Sequence, residues 1–220
     1  QLVKNDLKNR SMSKRQKNYK NQLRTINVII CGVGGQGVST IANILSTALF
    51  YEGFDVKKSE IIGMSQRGGS VNVHVRCGSR IYSPVIEMGT ADYILSLENL
   101  EALRYVSYLK KGGVIMINDY QLLPLSVLHN NNIDFKETLF KSNTNKQINI
   151  DQISAYQTSL SLGDVKMMNM IMLGRLAYYL GGRYDNWKKA ISDNVKQKIY
   201  HCALEAFQIG STGYNGKGLI

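Results

Sequence analysis

Ile26-Asn27-Val28-Ile29-Ile30-Cys31 is a short β-branched run that stops at a glycine, and Gly32-Val33-Gly34-Gly35-Gln36-Gly37-Val38-Ser39 follows without a break. A run of this kind reads as a buried strand. From Val38 to Tyr51 the apolar residues Ile41, Leu45, Ala48 and Leu49 return at helical spacing, and Glu52-Gly53 supplies a stop. Asp55 to Ile62 reads as a second strand. Strand, glycine loop, helix and strand make a βαβ unit, and such units wind right-handed into a largely parallel sheet.

The next stretch changes the pattern. In Ser70-Val71-Asn72-Val73-His74-Val75-Arg76 valine recurs at every second position, then Cys77-Gly78-Ser79-Arg80 leads into Ile81-Tyr82-Ser83-Pro84. Alternation around a Gly-Ser pair predicts a hairpin with one buried face, and hence a mixed sheet. Residues 93–97 and 114–118 read as two further core strands. Between them Leu100 to Leu109 has a helix body, with Lys110-Lys111-Gly112-Gly113 as a basic end and glycine stop. From Asp119 to about Asn149 the chain turns polar and Asn-rich, read as loop with one strand near residues 133–135. Helical spacing resumes from Gln152. Met167, Met170, Ile171, Leu173, Gly174, Leu176 and Ala177 define a long apolar helix ending at Gly181-Gly182, and residues 186–207 supply one or two more. The expected fold is a three-layer α/β/α Rossmann-like domain with a mixed, mostly parallel sheet and a helical C-terminal part.

The net charge of +11 resembles a nucleic-acid signal until it is located. Residues 1–25 hold eight Lys or Arg against a single acid, Asp6, so seven of the eleven net charges fall there. A basic, Asn-rich, weakly apolar segment reads as a solvated arm. The expected division is a flexible tail over 1–25 and one domain over 26–220, with no nucleic-acid partner. No apolar run approaches the ~20 residues that span a membrane, and no secretory leader is read. Cys31, Cys77 and Cys202 are too scattered for a disulfide framework or metal spacing, so a reducing cytoplasm is expected. An iron–sulfur cluster takes about four thiolates, so any such cluster belongs on another chain.

Two motifs can carry chemistry. Gly32, Gly34 and Gly37 match G-x-G-x-x-G between a strand and a helix. Glycines allow positive φ there, and helix-start N–H groups can meet a phosphate. A tight turn without a ligand is the plainer reading of the same residues. A dinucleotide enzyme should also place an acid about 20 residues on, at the end of the second strand. Glu60 is near that place, yet Ile61-Ile62 continues the strand beyond it. No lysine follows the last glycine, so this is not a Walker A loop. The second motif is Ser59-Glu60-Ile61-Ile62-Gly63-Met64-Ser65-Gln66-Arg67-Gly68-Gly69-Ser70-Val71. It sets a guanidinium and bare amides at the carboxyl edge of the sheet, where α/β folds bind ligands. Arg67 can clamp a phosphate or carboxylate with two hydrogen bonds, or simply cap a carbonyl. His74 reads as a polar-face or interface histidine, the methionines from Met167 to Met172 as core or interface, and Cys31 as inert packing. His129 and His201 have no visible partner. No catalytic grouping and no metal site emerges from spacing.

The paired motifs, with Tyr82-Ser83-Pro84, Leu97-Glu98, Glu101-Ala102-Leu103, Tyr108-Leu109-Lys110-Lys111-Gly112-Gly113 and Asn169-Met170-Ile171-Met172-Leu173-Gly174, resemble the gamma-type domain of 2-oxoacid:ferredoxin oxidoreductases. The likeness is to the small subunit of the indolepyruvate type, and it covers roughly residues 26–210. It implies membership of an enzyme that decarboxylates a 2-oxoacid, forms acyl-CoA and CO2 and reduces ferredoxin. It further implies that thiamine diphosphate and [4Fe–4S] clusters sit on a large partner subunit, that ferredoxin is met through the complex, and that this chain is inactive alone. Gly34, Gly35, Gln36, Gly37, Arg67, Gly68 and Gly69 are then expected to form an anion-binding edge facing the large subunit, for a phosphate of coenzyme A or of a phosphorylated cofactor at the interface. The competing readings are a stand-alone nucleotide- or NAD(P)-binding Rossmann-like protein and a nucleic-acid-associated protein acting through its tail.

Overall fold

The computed structural model describes residues 25–62, 68–122 and 147–212. β1 (Ile26–Val33) is the centre of the sheet, because its β-branched side chains are buried on both faces. Val28 and Ile30 point to one side, Ile29 and Cys31 to the other. The glycine turn after β1 gives way to α1 (Val38–Tyr51), which buries Ile41, Leu45, Ala48 and Leu49, as its spacing predicts. Gly53, at φ 91°, ends that helix and returns the chain to β2 (Asp55–Ile62).

β3 (Ser70–Gly78) forms, but not as half of a hairpin with residues 81–84. It pairs antiparallel with β2 on one side and with β1 on the other. Residues 81–84 form no strand. They belong to an irregular loop that crosses β3, tied down by side chains: Arg76 donates to the carbonyls of Ser83 and Val85, and Asp55 accepts from Ile81 N–H. Local alternation was legible there, but the partner strand was set by β1 and β2. His74 is likewise buried, at 3% exposure, rather than on a polar face. Its Nδ1 accepts from Ile86 N–H at 3.1 Å, beneath the same loop, with the Tyr108 ring edge-on to it.

The chain then crosses to the other side of β1. β4 (Ala91–Ser96) lies parallel to β1, and β5 (Leu109–Asn118) parallel to β4. Between them α2 (Asn99–Tyr105) and a 3-10 turn (Val106–Tyr108) are shorter than expected. Lys110 to Gly113 belong to β5, so the supposed basic end and glycine stop of the helix are strand residues. Gly113 is needed there because a Cβ would come within 2.8 Å of Leu109 Cγ. β6 (Asn149–Ile153) is a short parallel edge strand where only polar loop and then helix were expected. Its exposed residues carry no hydrophobic alternation. The suggested strand near residue 133 and His129 lie outside the described residues.

Helices α3 (Ala155–Ser161), α4 (Met168–Leu180), α5 (Tyr184–Asn194) and α6 (Tyr200–Thr212) complete the layer that holds α1. The methionines of α4 and the preceding turn are core residues, as expected. The strand order is β2-β3-β1-β4-β5-β6, with β3 alone antiparallel. The result is an α/β fold with a mixed six-stranded sheet and a helical C-terminal part. The chain leaves β1 first toward β2 and later toward β4, so the carboxyl end of β1 is a topological switch point, the usual ligand crevice of such sheets. Among the described residues, no helix is long and apolar enough to cross a membrane.

Candidate functional site

The glycine loop sits at that switch point. Gly35 and Gly37 hold φ values of 100° and 89°, a left-handed backbone that favours glycine. Gly37 is also the residue before α1. A Cβ on it would lie 2.3 Å from Asn169 Nδ2, so a side chain there would have to push the Asn169 amide aside. Gln36 turns back toward the strand end, where its Oε1 accepts from Val33 N–H at 2.8 Å. Its buried Nε2 has no protein partner. No side chain caps α1, and its first turn carries no acid. The positive end of the helix dipole therefore faces the opening in front of the loop.

The two sequence motifs meet. Gly34 N–H donates to the Gly69 carbonyl at 2.8 Å, and Val33 stands across the ladder from Ser70. They do not share the same surface, however. Gly35, Gln36 and Gly37 line a cleft of about 730 Å³, whereas Gly34, Gly68 and Gly69 stand behind it as a brace. Arg67, the expected clamp, lies outside the described residues.

The rest of the cleft comes from residues far away in sequence. Thr40 lies on α1. Lys166, Met167, Met168 and Asn169 come from the entry to α4, and Lys196, Lys198 and Ile199 from the turn before α6. Asn169 Nδ2 reaches the Gln36 carbonyl at 3.5 Å. On the far side Tyr120 and Tyr156 stack, with centroids 4.3 Å apart and planes at 26°. The opening thus joins backbone donors and three lysines to apolar and aromatic walls; the one acid among the described residues of its lining, Asp164, accepts from Lys166 N–H, and the balance suits a phosphorylated organic anion. Sequence reasoning missed the three lysines and the tyrosine pair. Asn169 was visible as part of a motif, but its contact with the loop was not.

Behind the loop, on the α2 face, lies a buried acidic pair. Glu98 is 1% exposed and caps α2: its Oε2 accepts from Glu101 N–H at 2.9 Å, and its Oε1 from Leu122 N–H at 3.0 Å. Burial raises its carboxyl above the usual carboxylate range, against the opposing pull of those amides. Glu101 receives the Ser70 hydroxyl at 2.5 Å. Cys31 and Cys77 are buried on opposite faces of the sheet. Burial pushes both thiols up, Cys77 to about 12 with a further push from the Asp92 charge, so neither is a ready nucleophile or ligand. Among the described residues, no group of three or more His, Cys, Asp or Glu could hold a metal ion.

A switch-point cleft built from these motifs defines a class, and the comparisons identify it. The profile of the pyruvate ferredoxin/flavodoxin oxidoreductase family matches residues 27–213, and the chain belongs to that family. Its sequence is 34% identical over 195 residues to the indolepyruvate oxidoreductase subunit IorB of Pyrococcus horikoshii, covering 86% of this chain and 95% of that one. Among solved structures, the gamma subunit of a keto/oxoacid ferredoxin oxidoreductase from Geobacter sulfurreducens superposes with a TM-score of 0.65 at 21% identity, over 85% of this chain and 96% of that chain. A 2-oxoglutarate:ferredoxin oxidoreductase from Magnetococcus marinus, solved with 2-oxoglutarate, coenzyme A and succinyl-CoA, gives a TM-score of 0.67 at 18% identity. That match covers 87% of this chain and 31% of the larger one. At such identities the two structures establish a shared fold.

Proposed function

We propose that the chain is the gamma-type, cluster-free subunit of a thiamine diphosphate-dependent 2-oxoacid:ferredoxin oxidoreductase, acting on indolepyruvate or another aryl pyruvate. In this reading the complex forms acyl-CoA and CO2 and passes electrons to ferredoxin, and the chain alone is inactive. A [4Fe–4S] cluster takes about four thiolates. Three cysteines, two of them buried on opposite faces, do not fit one, so the clusters are assigned to a larger partner subunit, and on the family resemblance thiamine diphosphate is assigned there as well. The family membership and the relatives named indolepyruvate oxidoreductase subunit IorB support the reaction class.

The observation that carries a role for this chain is the cleft in front of the glycine loop. We assign it to a phosphate of coenzyme A. The amides from Gly35 into the first turn of α1 and the ammonium groups of Lys166, Lys196 and Lys198 are complementary to that anion. Gly34, Gly68 and Gly69 shape the edge, and Arg67 is the additional clamp. The NAD(P) alternative is disfavoured by topology. β3 intervenes between β1 and β2, and Glu60 stands in mid-ladder, level with Ile30, instead of at the strand end where a ribose would be met. Its carboxylate is moreover engaged by the Ser39 hydroxyl.

Coexpression with the large subunit tests the reading. Affinity capture should recover a thiamine- and cluster-bearing partner, and the complex should reduce a viologen dye in a coenzyme A-dependent way, with indolepyruvate preferred to pyruvate and 2-oxoglutarate. A chain that emerges alone and retains a dinucleotide would overturn it.

A further inference from the structure

We propose that Glu101 is a positioning residue for the glycine loop, acting from behind the sheet through Ser70. The inference rests on the coenzyme A reading of the cleft. Ser70 opens β3 and stands opposite Val33, the last residue of β1. One residue earlier, the Gly69 carbonyl takes the Gly34 N–H. The segment just ahead of Ser70 is unusually free. Gly68 and Gly69 carry no side chains, and Gly68 stands at φ 74°. The Ser70 hydroxyl limits that freedom by donating to Glu101 Oε2.

Glu101 is itself held on several sides. Its N–H donates to Glu98, and its Oε1 faces Arg104 Nε at 3.3 Å. The Cys31 thiol lies 3.8 Å from its carbonyl. Its side chain is only 6% exposed, so the bond to Ser70 is shielded from water, and a hydrogen bond so shielded is electrostatically stronger. Next to it, Asn72 Nδ2 donates to the Tyr105 hydroxyl at 2.6 Å, with Ser70 Oγ 3.4 Å from the same oxygen. This assembly fixes Ser70, therefore the Gly69 carbonyl, and therefore Gly34 and the amides that follow it. Neither Ser70 nor Glu101 lines the cleft. Any effect on a ligand must pass through the backbone of the loop.

A purely structural role, tying α2 to the sheet, would lower stability without touching ligand affinity. The test uses the coexpressed complex of full-length chain and large subunit carrying Ser70→Ala, Glu101→Ala, Glu101→Gln or the triple variant Lys166→Gln/Lys196→Gln/Lys198→Gln. Coenzyme A binding is measured by calorimetry, with KM, kcat and melting temperature alongside. Ser70→Ala and Glu101→Ala should weaken coenzyme A binding about tenfold, or about 1.4 kcal/mol, and raise its KM in step. The 2-oxoacid KM and kcat at saturating coenzyme A should not change. Glu101→Gln, which keeps an acceptor for Ser70, should stay within about twofold of the parent, a difference of ~0.4 kcal/mol. Unchanged affinity in the Ser70 and Glu101 variants, while the lysine triple weakens, overturns the positioning role alone. Unchanged affinity in every variant overturns the cleft reading itself. A lowered melting temperature with unchanged affinity reduces Glu101 to a structural tie. Should Glu101→Ala fail to assemble, Ser70→Ala, which removes one hydroxyl, decides.

Discussion

Two neighbouring glycines of the loop do different work. Gly35 is at φ 100° with nothing within 4 Å of an added Cβ, so Gly35→Ala should cost only backbone strain, about 1–2 kcal/mol. Gly37→Ala adds a collision with Asn169 to comparable strain, so it should cost more and should also loosen coenzyme A binding in the complex. Urea unfolding of the two variants checks the order, and equal losses would remove the claimed contact between loop and α4. His74 supplies a second residue-scale expectation. Its burial lowers the imidazole pKa below the ordinary 6.5, and Nδ1 must stay unprotonated to accept from Ile86. The depressed value means that the unfolded chain binds the proton more readily. The stability contributed is full above pH ~6.5 and is lost as pH falls from there through the lower folded value. Urea midpoints should therefore drop between neutral pH and about pH 5, and His74→Gln should flatten that slope. An equal slope in the variant would place the titrating group elsewhere.

At the scale of elements, α4 and α6 cross with almost no space between their backbones. A Cβ on Gly174 would meet the Phe207 carbonyl at 2.1 Å, and one on Gly210 would meet the Ile171 carbonyl at 1.9 Å. These contacts are to backbone, which cannot rotate away. Gly174→Ala should therefore force the helices apart at a cost of about 2–3 kcal/mol, lowering the melting temperature by roughly 5–10 °C. A change of about one degree or less would show that the crossing has slack. The same crossing sets the approach of α4 to the glycine loop, since Asn169 lies on the first turn of α4. On its other side α4 is pinned to β6: Arg175 Nε donates to Asp151 Oδ2 at 2.5 Å, and the Tyr179 hydroxyl donates to the same oxygen at 2.8 Å. A polar edge strand that sequence periodicity cannot reveal is thus held in register by a partly buried ion pair.

Across the whole molecule, legibility followed the range of the interaction. β1, α1 and β2 could be read within a residue of their ends, because burial on both faces, 3.6-residue spacing and a terminal glycine are all written locally. The paired glycine motifs, and with them the family, were legible for the same reason. The hairpin reading at Gly78-Ser79 and the helix stop at Gly112-Gly113 went wrong where a local turn signal competed with a strand partner distant in sequence. Lys166, Lys196, Lys198, Tyr120 and Tyr156 carry no local mark at all. More than 100 residues separate Gly37 from Lys166 and the other two lysines, and only the packing of α4 and α6 against α1 brings them to one opening. By itself the sequence determined the α/β class, the loop that needs glycine and the kinship that follows from its motifs, since each depends on contiguous residues. The tertiary structure alone decided that β3 parts β1 from β2, that Gly69 braces the loop instead of lining the cleft, and which side chains face it. Those outcomes depend on which surfaces close against each other, and that is settled only when the whole core is buried.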